Sequence, residues 1–289
     1  MIGTFNGASG AGGFAADPGE GKQYKVITST SNLQVRQLIQ LQKKAKERNT
    51  QDVFVVEGPK MALEAPDSQL VQIYVSERFY EKDPTFFGEN RPVTVLSDRV
   101  FESVSDTRTP QGVLCVVRQY HYDLEDLLGG TAAGEPLLVA LENLQDPGNL
   151  GTIVRTAEGA GVTGILLSPG CVDIYNPKVI RSTMGAVYRM PFYYTDDFER
   201  ELRALKQKGV RLFAAHLEGS SPYDEETYCG PSGFLIGNES QGLTDGTAAI
   251  ADARIRIPMC GQVESLNAAV AASVLMYEAN RQRRRALER

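Results

Sequence analysis

The sequence predicts an α/β protein of two parts, the larger one built on a parallel sheet. Three observations carry this reading. In the second half, short apolar runs alternate with segments able to hold helices: LLVALE (137–142), GILLSP (164–169), RLFAAHL (211–217), GFLIGN (233–238) and RIRIPM (254–259). Most of these runs are apolar almost throughout, as a strand covered on both faces requires, and such strands belong to parallel sheets. The first half alternates more loosely, and 289 residues is about twice the usual single-domain length. Between the halves lies Gly129-Gly130-Thr131-Ala132-Ala133-Gly134, a segment that reads as a spacer.

Taken in chain order, residues 1–25 form a Gly- and Ala-rich arm without apolar period, which stays outside the fold. Gly10, Gly12 and Ala15 there imitate a dinucleotide fingerprint, but no strand precedes them; Gly21-Lys22 imitates a phosphate loop, but Gln23 stands where Ser or Thr is needed. Residues 30–118 make the smaller domain. From Asn32 to Arg48, Leu33, Leu38, Leu41 and Ala45 predict one amphipathic helix, with Arg36, Lys43, Lys44, Lys46 and Arg48 on its polar side. Strands follow at VFVVEG (53–58), QIYVS (72–76), VTVLS (93–97) and GVLCVV (112–117). Residues 119–135 are the expected linker, and residues 136–289 hold the parallel sheet. The closing helix is expected to bury Leu266, Val270, Ser273, Val274 and Tyr277 and to end in basic Arg281, Arg283, Arg284 and Arg285.

Composition narrows the function classes. With 42% hydrophobic and 23% charged residues the chain is neither fibrous nor wholly disordered. No apolar run is long enough for a bilayer and the start lacks the pattern of a secretory signal, so no membrane is expected and the location reads as cytoplasmic. Cys115, Cys171, Cys229 and Cys260 form no C-x-x-C pair and the only histidines are His121 and His216, so no metal site is expected and the cysteines read as buried small hydrophobes. A net charge of -6 excludes indiscriminate coating of nucleic acid but leaves room for local basic clusters.

Ligands of open α/β sheets gather beyond the carboxyl ends of strands, so the polar residues after each strand are the place to look. Three segments stand out. Residues 143–156 (NLQDPGNLGTIVRT) contain a Pro147-Gly148 turn, Asn149 able to cap the next helix, and Arg155 near its second turn. Residues 236–243 (IGNESQGL) leave a buried strand through Gly237, where backbone can approach a ligand closely; Asn238, two before Ser240, breaks the serine nucleophile-elbow pattern. Residues 257–267 (IPMCGQVESLN) run from a strand end to a polar pair, of which Ser265 reads as the helix cap. Singly, each segment is explained by capping and solvated surface.

Together, in this order and spacing, N-x-G-x-x-x-R-T, I-G-N-E-x-x-G-L and I-P-M-x-x-x-x-x-S-L-N resemble the three motifs of the SpoU or TrmH class of RNA ribose 2'-O-methyltransferases, within the SPOUT superfamily. The resemblance spans residues of about 137 to 285; FVVEGPKMALEA and PQGVLCVV extend it more loosely, as they look like the class's substrate-binding domain. It implies a trefoil-knotted methyltransferase domain behind a smaller α/β RNA-binding domain. It also implies S-adenosylmethionine held by backbone around Leu217, Gly237, Ile257, Met259 and Leu266, and a homodimer through the C-terminal domain.

The reaction so implied needs a ribose hydroxyl oriented in line with a sulfonium methyl and relieved of its proton. A guanidinium hardly ever deprotonates in proteins, so the expected role of Arg155 is to hold ribose and phosphate and stabilise oxyanion charge. Asn149, Glu239, Ser265 and Asn267 then position the hydroxyl and Arg155. RNA affinity is assigned to Arg36, Lys43, Lys44, Arg48 and Lys60. The expected substrate is 23S rRNA; the alternatives are tRNA and, further off, a catalytically silent RNA-binding protein.

Overall fold

The computed structural model describes residues 24–88, 91–129, 134–217 and 221–288. The arm expected at residues 1–25 therefore falls almost entirely outside the described residues. Two compact units meet in the sequence between Gln119 and Tyr120.

The first unit runs β1 (Val26–Ile27), α1 (Leu33–Lys43), α2 (Ala45–Gln51), β2 (Val53–Glu57), α3 (Pro59–Glu64), β3 (Leu70–Ser76), α4 (Glu77–Lys82), β4 (Val93–Leu96), α5 (Asp98–Val104) and β5 (Val113–Arg118). Its sheet has the order β1-β4-β3-β5-β2, with β5 antiparallel to both neighbours. Val35, Leu38 and Leu41 of α1 pack on Val53, Val55, Val100 and Phe101.

The single helix expected over 32–48 is broken. Asn32 caps α1 by accepting from Gln34 N–H, and Lys44 turns extended at φ -125°, ending α1 and starting α2. Val35 is the core residue, whereas Leu33 is 76% exposed and Ala45 is exposed too. Arg48 is the larger correction. It is only 3% exposed, and its Nη1 donates to the carbonyls of Leu41 (2.8 Å) and Gln42 (3.3 Å), satisfying the end of α1. A cation committed in this way is not part of an RNA-facing surface.

The second unit runs α6 (Leu124–Leu127), β6 (Leu137–Leu141), α7 (Pro147–Ala160), β7 (Gly164–Leu167), α8 (Pro177–Thr183), β8 (Phe192–Tyr194), α9 (Phe198–Gln207), β9 (Arg211–Ala215), β10 (Ser221–Pro222), β11 (Ser232–Ile236), α10 (Asp245–Ile250), β12 (Ala253–Arg256) and α11 (Ala268–Leu287). Its seven strands take the order β10-β12-β9-β11-β6-β7-β8, all parallel. From β6 the chain builds outward through β7 and β8 on one side; β11, β9, β12 and β10 lie on the other. The order reverses between β6 and β11, and a sheet of this kind opens its ligand crevice at that point.

Of the linker expected at 119–135, the stretch from 119 to 128 is not a spacer. Gln119 still belongs to the first unit, donating from its backbone to Asp52 O (3.0 Å) and from Nε2 to Val53 O (3.2 Å). Tyr120 belongs to the second: Tyr175 Oη accepts from its N–H (2.7 Å) and donates to its carbonyl (3.1 Å). Asp123 and Asp126 form a capping box on α6, and Leu127 is fully buried among Leu138, Leu166 and Leu202. Gly164 has no room for a side chain because Leu127 Cα would lie 2.6 Å from its Cβ. Leu124, Leu127 and Leu128 pack into the core of this unit.

The buried stripe of α11 is also different from the expected one. Ala269, Ala272, Leu275, Met276, Glu278 and Ala279 face inward, while Val270 and Tyr277 are 48% and 51% exposed. Helix α11 packs on α7, and small alanines let the two backbones approach; Asn280 Nδ2 reaches Ala160 O at 3.0 Å. Its basic end is partly tied down: Arg283 donates to the carbonyls of Tyr228, Glu135, Pro136 and Gly230. Of the cysteines, Cys115 and Cys171 are buried, but Cys229 and Cys260 are exposed, against expectation. Among the described residues no helix is long and apolar enough to cross a membrane.

Candidate active site

The site begins where β6 and β11 end side by side. After β6, Asn143 adopts a left-handed conformation at φ 53°, which asparagine tolerates better than most residues. After β11 the chain makes a closed turn: Asn238 and Gly242 exchange both backbone hydrogen bonds (3.0 and 2.9 Å), and Asn238 Oδ1 accepts from Ser240 and Gln241 N–H. A Cβ on Gly237 would stand 2.1 Å from Gly242 C. The glycine there is required by the turn's own backbone, not only by an approaching ligand.

The turn is laced to the segment after β6. Asn238 Nδ2 donates to Asn143 O at 2.8 Å. Glu239 Oε1 accepts from Asp146 N–H (2.9 Å) and Asn149 Nδ2 (3.0 Å), and Oε2 accepts from Gln145 N–H (3.2 Å). Partial burial pushes the Glu239 carboxyl up, but the donors on it, Asn149 and the backbone N–H groups, outweigh this and hold it below the ordinary carboxylate range. Glu239 is thus an ionised clamp and a poor base.

Asn149 is buried at the third position of α7, whose cap is Asp146 rather than Asn149: Asp146 Oδ1 accepts from Asn149 N–H at 2.7 Å. With its amide nitrogen on Glu239, Asn149 presents Oδ1 to Asn267 Nδ2 at 2.9 Å. Asn267 in turn is the true cap of α11, accepting from Ala269 and Val270 N–H. The three sequence segments therefore meet in one hydrogen-bonded chain, Glu239 to Asn149 to Asn267.

The other two expected catalytic residues stand apart from this chain. Arg155, at the ninth position of α7 and so a turn later than expected, is exposed and makes no hydrogen bond or ion pair among the described residues. Ser265 is exposed ahead of α11 and does not cap it. The residues expected around a cofactor follow the carboxyl ends of neighbouring strands: Leu217 after β9, Gly237 after β11, Ile257 and Met259 after β12, with Leu266 just before α11. Ile257, Met259 and Leu266 are half-buried and Leu217 is exposed. Half-covered apolar side chains beside turn backbone fit an adenosyl group, which needs apolar walls and a few polar contacts. In the first unit Arg36, Lys43, Lys44 and Lys60 are exposed, but Lys60 is in the first turn of α3 beyond β2, while Arg36 and Lys43 lie on α1 and Lys44 at the break after it.

One residue escaped the sequence reading. Glu142, only 7% exposed, accepts from Thr244 N–H (2.8 Å), Thr244 Oγ1 (2.8 Å) and Thr247 Oγ1 (2.6 Å). The signal in the sequence is a carboxylate ending an apolar run, with a T-x-x-T that runs from the cap into a short helix.

A parallel sheet whose switch point is closed by side chains from three separated motifs defines an α/β enzyme domain acting at its strand ends. The chain belongs to the SpoU rRNA methylase family, which residues 136–277 match, and residues 32–115 match the MRM3-like substrate binding domain. It is 32% identical to the 23S rRNA (guanosine(2553)-2'-O)-methyltransferase RlmP of Bacillus subtilis (strain 168), over 88% of this chain and 98% of that protein. It is 28% identical to the mitochondrial rRNA methyltransferase 3 of Xenopus laevis, over 92% of this chain and 75% of that one. The crystal structure of an AdoMet-bound rRNA methyltransferase from Sinorhizobium meliloti superposes with a TM-score of 0.77 at 32% identity, covering 89% of this chain and 97% of its own.

Proposed function

We propose that this protein is an S-adenosylmethionine-dependent methyltransferase that modifies a ribose 2'-hydroxyl of 23S rRNA. The observation that carries the proposal is the Glu239–Asn149–Asn267 chain, which gathers all three motifs at the switch point of the sheet. The substrate-binding domain matched over residues 32–115 supports ribosomal RNA over tRNA, and a cytoplasmic location goes with that substrate.

Bound at Leu217, Gly237, Ile257, Met259 and Leu266, in the knotted segment the family implies, S-adenosylmethionine supplies an electrophilic sulfonium methyl. The rest is the work of the chain. Arg155 holds the ribose and its phosphate with a planar fork and stabilises charge developing on the 2'-oxygen. Its freedom from other partners leaves all its donors available to RNA. Glu239 keeps the two strand-end segments in register, Asn149 and Asn267 carry that register to α11, and Ser265 orients the hydroxyl, whose proton leaves to solvent water. Arg36, Lys43, Lys44 and Lys60 supply RNA affinity. Val263, Val270 and Tyr277, apolar and exposed on and before α11, support a homodimer through the C-terminal domain.

The test is methyl transfer from labelled S-adenosylmethionine to purified 23S rRNA and to tRNA, followed by mass mapping of 2'-O-methyl positions. Label on a ribose of 23S rRNA is expected. Label on tRNA alone moves the substrate, and RNA binding without transfer makes the protein a silent binder.

A further inference from the structure

Glu142 has no place in the reaction as described, yet it is buried and accepts three hydrogen bonds. Three donors converge on it in a buried setting, and a buried carboxylate is tolerated only when it is satisfied in this way. Its contacts cross those of Glu239. Glu142 directly follows β6, just ahead of the first motif, and reaches past the second motif to α10. Glu239 lies in the second motif and reaches back to α7. Between them the 238–242 turn folds back closely on its own start, so that the place of a Gly237 Cβ is taken by Gly242 C and by Leu243 N, 2.2 Å away. Thr244, the residue after Leu243, is the one Glu142 grips.

We propose that Glu142 is a positioning residue for methyl transfer: by holding the start of α10 it fixes the turn, and through the turn it keeps Glu239 on Asn149 and on the start of α7. The proposal rests on the methyltransferase reading. A carboxylate that merely capped α10 would steady that helix and nothing beyond it.

The experiment compares full-length wild type, Glu142→Gln and Thr247→Val, each alone and combined with Glu239→Gln, by amide hydrogen exchange and by single-turnover transfer to 23S rRNA. Thr247→Val keeps the side-chain shape and removes one donor from Glu142, so it carries the test if Glu142→Gln does not fold. Both are expected to speed exchange at Thr244 and also at Gln145 and Asp146, whose N–H groups Glu239 holds. Transfer should fall on the order of tenfold, the loss of one charge-assisted hydrogen bond, and should fall no further when Glu239→Gln is already present. Faster exchange confined to Thr244 overturns the proposal, as does loosening at Gln145 and Asp146 with normal transfer, or full additivity with Glu239→Gln. If wild type transfers to no RNA, the methyltransferase reading fails and the reaction role of Glu142 with it. The exchange pattern then still decides whether Glu142 holds the turn.

Discussion

In the proposed reaction Arg155 and Glu239 divide the work, the exposed Arg155 serving the substrate and Glu239, bonded to Gln145, Asp146 and Asn149, serving the fold. Arg155→Ala is expected to leave S-adenosylmethionine affinity nearly unchanged in calorimetry while single-turnover transfer falls by about 10²–10³, the usual consequence of removing a preorganised donor. Arg155→Lys should not restore it, since lysine keeps the charge and loses the planar fork. Near-normal transfer by Arg155→Ala would return this residue to ordinary surface. Glu239 has a signature in pH. Its folded-state pKa is depressed, so its stabilising contribution is fully present above the unfolded glutamate value of about 4.3 and is lost as pH falls through the lower folded value. The gap in unfolding free energy between wild type and Glu239→Gln should be constant near neutrality and should close below about pH 4. Asn149, Glu239 and Asn267 stand out in the sequence only through the resemblance of their three segments to family motifs, and the fold brings the three side chains together. Arg48 and Glu142 could not, because a charged letter in a sequence carries no mark of burial.

Helix α7 shows how two glycines in one element can have opposite uses. A Cβ on Gly151 would lie 2.4 Å from Ser182 Cβ and 2.7 Å from Val179 O, so this glycine lets α8 close on α7. Gly151→Ala must part the two helices and should destabilise by about 1–3 kcal/mol. A Cβ on Gly159 would meet only Tyr277 Oη, at 3.4 Å, so Gly159→Ala should stabilise by about 0.5–1 kcal/mol through helix propensity. Urea denaturation of the two variants checks both signs. Long apolar strands such as β6 and β11 were legible because burial on both faces leaves only apolar letters. The two-residue β1 and β10 and the three-residue β8 leave too short a pattern to read. The phase of α11 is not legible in the sequence because Val270 and Tyr277 make as good an apolar stripe as the alanines beside them; only packing against α7 chooses between the two.

The chain changes allegiance across one peptide bond, Gln119 to Tyr120, so the boundary falls ahead of α6 and not at the Gly-rich segment. A fragment starting at Tyr120 is therefore expected to bind S-adenosylmethionine as the full chain does. One starting at residue 135 lacks Leu127 beneath Gly164 and should melt lower, which calorimetry and thermal unfolding of the two fragments compare directly. The bonds that join the site span 90 residues from Asn149 to Glu239 and 118 from Asn149 to Asn267. Contacts so distant form only after long loops have closed, and they are late events in a folding reaction. Local helices such as α7 and α11 can form well before their ends are joined. In refolding from denaturant, helical signal should return ahead of cofactor binding, and the slowest phase should be the one that restores it: a chain in which the last loop has not closed has its helices but no enzyme.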